Sequence, residues 1–154
     1  MSGARAAESD EMPSIGYLDE IVGYHLRRAS AVIGNDFARS LADTGLRQVL
    51  FGILSVISAN PGINQGTVGR ALGIQRANMV SLINELVDRD LVKRETAAGD
   101  RRAFALTLSS AGKRMLTEGL TRIRAHEDRL LAGLSAKERA TLIALLSRIE
   151  AKEP

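Results

Sequence analysis

The sequence predicts a mainly α fold that carries one small β-hairpin. Apolar residues recur at three- and four-residue spacing through most of the chain, the mark of amphipathic helices. Two short helical segments meet through a glycine near its middle, and two strand-like runs flank a polar stretch just after them.

The elements follow in order. Residues 1–14 are rich in Ala, Ser and Glu and lack a basic segment followed by an apolar one, so they read as a disordered tail and not as a signal peptide. Leu18, Val22, Leu26, Ala29, Ile33 and Phe37 then form one stripe of a long helix over residues 17–41. Asp43, Thr44 and Gly45 break it. A second segment with Leu46, Val49, Leu50, Ile53, Leu54 and Ile57 has apolar residues on more than one face, which predicts burial, and it ends at Asn60, Pro61 and Gly62.

Asn64 is the predicted N-cap of a short helix that turns Val68, Ala71 and Leu72 inward and ends before Gly73. A new helix opens near Gln75, so the pair reads as a helix-turn-helix. In its second member Met79, Leu82, Ile83 and Leu86 make one inward stripe, which leaves Gln75, Arg76, Asn78, Val80 and Ser81 facing out near the front. Residues 91–95 and 103–108 read as strands joined by a polar loop over 96–102, a candidate wing. Two helices follow Ser110, one through Met115, Leu116, Leu120, Ile123 and Leu130, the other through Leu142, Leu145, Leu146 and Ile149; Ser135 with Glu138 makes a capping box that starts the last.

Composition narrows the function. The chain has 154 residues, one domain's worth, and no apolar run near the eighteen or so residues that would span a membrane, so cytoplasmic residence is expected. It has no cysteine, which removes disulfides and thiolate chemistry. His25 and His126 are far apart and neither has a partner at metal-ligand spacing, so neither a metal nor a cofactor is expected. No nucleophile with a base in context and no phosphate-cradling glycine motif points to an enzyme. Net charge is only +3, but residues 70–114 hold nine basic against five acidic residues, where a DNA reader would sit. Aromatic residues are too few, three Phe and two Tyr, for the stacking platforms of RNA and single-strand binders.

The run Leu72, Gly73 and Ile74 before the reader helix, Leu86 near its end, Leu91, Val92, Lys93 and Arg94 entering the hairpin, then Asp100, Arg101 and Arg102, Leu106, Thr107 and Leu108, and Ala111 with Gly112, together carry a pattern. It resembles the MarR family of winged helix-turn-helix repressors across about residues 46–114. Two positions depart from it: Asp90 replaces the usual turn glycine, and Gly69 stands where alanine is usual. Asp tolerates left-handed backbone, so the fold expectation is unaffected.

The resemblance implies a lobe at 43–110 between an N-terminal dimerisation helix at 15–42 and C-terminal dimerisation helices at 111–154, acting as a homodimer on a pseudopalindromic operator in double-stranded DNA. Reader helices about 34 Å apart match successive major grooves. Gln75, Arg76, Asn78 and Ser81 carry the donors and acceptors that read base edges, and Val80 suits a thymine methyl. At the wing, Arg101 and Arg102 are candidates for the minor groove or phosphates, and Asp100 for holding one of them. Lys93 and Arg94 fit either phosphate contacts or plain strand-edge charges. Leu18, Ile21, Val22, Leu142, Leu145, Leu146 and Ile149 would be exposed in a monomer and are the expected dimer surface.

Members of this family commonly bind a small effector between the dimer helices and the DNA-binding lobe. The polar groups facing that crevice are expected to be Tyr24, His25 and Arg28 with Arg47 and Phe51, suited to an aromatic acid or its thioester. The stretch from His25 to Ala29, and the run from Asn60 to Asn78, are also similar to regulators that sense hydroxycinnamoyl-CoA thioesters and control aromatic degradation. A winged-helix protein-interaction module without DNA binding is the rival reading, because fold does not dictate function.

Overall fold

The computed structural model describes residues 13–97 and 100–151, the side chains at 97 and 100–103 excepted. Residues 1–12, most of the expected tail, lie outside them. The chain divides into two compact units between Val32 and Ile33.

In the first unit the chain does not enter the long helix at residue 17. Gly16 has a left-handed φ of 60°, Gly16–Glu20 forms a 3-10 turn, and Ile21 is extended with ψ 107°. The helix proper, α1, is Val22–Leu41. Local backbone bonds win here over apolar periodicity, because the amide of Ile21 reaches back only three residues to Leu18 O, at 3.2 Å.

The second unit holds the rest. Helix α2 (Gln48–Ala59) is its centre: Leu50, Ile53, Leu54 and Ile57 are fully buried, as a helix apolar on several faces requires. Helix α3 (Gln65–Ala71) starts at Asn64, whose side chain accepts from the Thr67 amide, and helix α4 (Arg76–Asp88) follows through Gly73, left-handed at φ 64°. Met79, Ile83 and Leu86 bury the back of α4 against α2, α3 and the hairpin.

Strands β1 (Val92–Ala97) and β2 (Asp100–Leu108) pair antiparallel, Val92 opposite Leu108 and Arg94 opposite Leu106, with an irregularity at Thr96 and Ala97. The hairpin is therefore longer than expected: Thr96 and Ala97 extend β1 and residues 100–102 extend β2, with Thr96 opposite Phe104 and Ala97 opposite Asp100. Polar residues at a solvent-facing hairpin end carry little strand signal, which is why the pairing was not legible there. Leu106 also exchanges backbone bonds of 2.9 Å with Gly62 and Ile63, which ties the hairpin to the start of the helix-turn-helix.

Helices α5 (Ser110–Leu130) and α6 (Ala136–Glu150) complete the chain, the latter opened by the expected Ser135 and Glu138 capping box. Gly112 explains its own presence, since a Cβ there would lie 2.0 Å from Leu91 O. Asp90 adopts the left-handed backbone expected of it, at φ 54°. Among the described residues no single helix is long and apolar enough to cross a membrane.

Candidate nucleic-acid interface

Every outward residue expected on the reader helix is exposed: Gln75 at the N-cap, then Arg76, Asn78, Val80 and Ser81. Their presentation follows from the buried stripe, because fixing Met79, Ile83 and Leu86 in the core fixes the opposite face toward solvent. Val80 is 43% exposed, an apolar group that water solvates poorly. Ser81 Oγ donates to Asn78 O at 2.9 Å, so its lone pairs remain free to accept.

Sequence reasoning missed residues on α3 and β2 that share this face. A groove of about 370 Å³ runs beside the front of α4, with Ile74, Met79 and Phe104 as its apolar floor and Gln65, Arg70 and Arg76 at its rim. Arg70 Nη2 donates to Thr67 Oγ1 at 2.9 Å, which aims its guanidinium along the exposed side of α3. The only sequence signal for Arg70 was its polar phase on a seven-residue helix.

Gly69, buried beneath this groove, accounts for one departure from the family pattern. A Cβ there would meet Met79 Cγ at 2.9 Å and Ile74 O at 3.0 Å, so the turn closes too tightly on it for alanine.

At the hairpin the two basic residues of β1 differ. Lys93 is exposed, opposite Thr107. Arg94 turns inward: its Nη2 donates to Asn84 Oδ1 of α4 at 2.5 Å, and its guanidinium carbon lies 5.8 Å from the centre of the Phe104 ring. Asp100, Arg101 and Arg102 lie on β2 by backbone, and the roles expected of their side chains fall outside the described residues.

The expected effector residues fall into two sets. In the first unit Tyr24 is half-buried and packs edge-on to His25 at 5.6 Å, with the Arg27 and Arg28 guanidinium groups 5.4 and 5.8 Å from its ring centre; His25 Nε2 lies 2.9 Å from Asp19 O. In the second, Arg47 forms an ion pair with Glu85 of α4, and Phe51 packs edge-on to Phe37 at 5.9 Å.

A crevice of about 140 Å³ that the sequence did not reveal lies between the second half of α1 and α5. Ile33, Phe37, Ile123 and Leu130 wall it, and His126 Nδ1 meets Asp36 Oδ1 at 2.8 Å on its lining. These two residues are ninety positions apart, a distance over which spacing carries no signal.

The sequence profile of the MarR family matches residues 45–103. The chain is 34% identical over 129 residues to the putative transcriptional regulatory protein for the hcr operon of Thauera aromatica, covering 83% of this chain and 78% of that one. Among solved structures, the transcriptional repressor CouR bound to a 23-mer DNA duplex is similar with a TM-score of 0.85 and 33% identity, over 91% of this chain and 99% of that one. CouR bound to p-coumaroyl-CoA is similar with a TM-score of 0.78 and 32% identity, over the same shares.

Proposed function

Because the chain belongs to the MarR family of DNA-binding transcriptional regulators, we propose that it represses by laying α4 of each protomer of a homodimer into successive major grooves of a pseudopalindromic operator in the cytoplasm. The observation that carries this reading is the two-sided build of α4: a back fixed in the core and a front of Gln75, Arg76, Asn78, Val80 and Ser81 held in solvent. Arg offers the paired donors that suit guanine O6 and N7, and Asn the donor and acceptor that suit adenine. Lys93, Arg70 and the wing residues Arg101 and Arg102 supply phosphate or minor-groove contacts, with Asp100 orienting one of the latter pair.

The effector in this reading is an aromatic acyl-CoA or the free aromatic acid, which follows from the similarity to CouR bound to p-coumaroyl-CoA. The crevice beside His126 is close to the volume of a site that holds one benzene ring, about 150 Å³. Tyr24, His25 and Arg28, grouped within the first unit, are the cationic and aromatic groups the sequence offers such a ligand. Arg47 links ligand to reader: an anionic group that takes Arg47 competes with Glu85 and frees the C-terminal half of α4.

The test is a fluorescence-anisotropy titration against a duplex from the chain's own upstream region and a scrambled duplex, at two salt concentrations, followed by addition of p-coumaroyl-CoA and of p-coumarate. Sequence-dependent binding by one dimer per site, reversed by one of the two ligands, is expected. If neither that duplex nor any sequence selected from a random pool is preferred, the rival protein-interaction reading takes its place.

A further inference from the structure

Basic residues on a hairpin beside a reader helix are ordinarily taken for phosphate contacts. The two on β1 cannot share that role equally, because the hairpin's alternation gives them opposite faces. Residues directly opposite in an antiparallel pair share a face. Val92, Leu108, Arg94, Leu106, Thr96 and Phe104 therefore lie on the side turned to the core, and Lys93 on the other.

Along that inner face Val92 and Leu106 are fully buried, and Arg94 is the first polar residue beyond them. Among the described residues its Nε is shielded from solvent with no hydrogen-bond partner, one Nη donates to Asn84, and the guanidinium carbon lies within cation–π range of the Phe104 ring. A group meant to reach phosphate would leave its donors uncommitted, whereas one of these is already held by Asn84. This one accepts the cost of an unsatisfied buried donor in order to join three elements. Asn84 is exposed and stands one turn beyond Val80, about 40° round the helix from it, so the tie lands beside the reading side of α4.

We propose that Arg94 is a positioning residue: through Asn84 and Phe104 it locks the stem of the hairpin to the outward face of α4, so that helix and wing meet one duplex at a fixed angle. This rests on the reading of α4 as the DNA reader. The tie acts before DNA arrives and needs no phosphate. Lysine cannot replace it, since an ammonium lacks the planar fork that bonds Asn84 while lying on a ring.

The experiment compares wild type, Arg94→Ala, Arg94→Lys, Asn84→Ala and the Arg94→Ala/Asn84→Ala double variant for operator affinity across a salt series, and for amide exchange in the free protein. Asn84 is exposed, so its variant folds even if an Arg94 variant does not. About tenfold weaker binding is expected in each single variant, with the double variant no worse and Arg94→Lys unrescued. The dependence of affinity on salt stays that of wild type, while the amides of β1 and β2 exchange faster. Two results overturn the proposal: rescue by Arg94→Lys together with a salt slope lowered by about 0.9 per lost phosphate contact in Arg94→Ala, or exchange in the hairpin unchanged in every variant. Should wild type bind no duplex, the reading of α4 fails, and hairpin exchange still decides whether Arg94 is the tie.

Discussion

Arg76 and Asn78 leave the first turn of α4 with different hydrogen-bonding inventories. The guanidinium only donates, whereas the carboxamide both donates and accepts, so the two side chains suit different bases. Neither is held by a side-chain partner among the described contacts, in contrast to Arg47, Arg70 and Arg94. Replacing either by alanine therefore removes groups available to base edges without disturbing the lobe. Arg76→Ala and Asn78→Ala are each expected to lower operator affinity by about 1–3 kcal/mol and to leave affinity for scrambled DNA nearly unchanged. Competition titrations with both duplexes measure the difference, and unchanged discrimination would remove these residues from the reading face.

Elements whose boundary rests on one local signal were legible in the sequence. Asn64 caps α3, Ser135 and Glu138 open α6, and the stripe of Met79, Ile83 and Leu86 sets the face of α4, because caps and helical periodicity are properties of neighbouring residues. What depended on distant partners was not: the inward turn of Arg94 to Asn84, the pair of Arg47 with Glu85, and that of Asp36 with His126 all join separate elements. The α6 cap also carries a pH dependence. The Ser135 hydroxyl and backbone amide both donate to the Glu138 carboxylate and hold its pKa below the usual glutamate range. A depressed folded pKa means that the cap stabilises fully above the ordinary glutamate value and loses this contribution as pH falls through the folded value. Acidification is thus expected to fray the first turn of α6 before the core unfolds, seen as faster amide exchange at Glu138 and Arg139. Glu138→Gln should remove that pH dependence.

For the molecule as a whole, the apolar surface left in water decides how the chain works. On α6 Leu142 is 37% exposed, Leu145 49% and Ile149 50%, at the three- and four-residue spacing of one face, although a helix of a monomeric lobe would turn such a stripe inward. In the first unit Leu18, Ile21 and Val22 are exposed as well. Side chains of this kind, spaced along helices and left without cover, are what an interface between two copies requires. A single copy offers one reader helix, whereas two copies bound to adjacent half-sites make the second contact effectively intramolecular. Carboxylates placed in this stripe would face one another across the two-fold axis, where burial and like charge both oppose association. The Leu145→Glu/Ile149→Glu variant is therefore expected to sediment as a monomer with unchanged helix content. Its operator affinity should fall on the order of a hundredfold, as the avidity of linked half-sites is lost, while the weaker binding to scrambled DNA falls much less. If the variant still sediments as a dimer, α6 is not the interface; if it sediments as a monomer but keeps full operator affinity, one reader helix suffices and the symmetric operator is wrong.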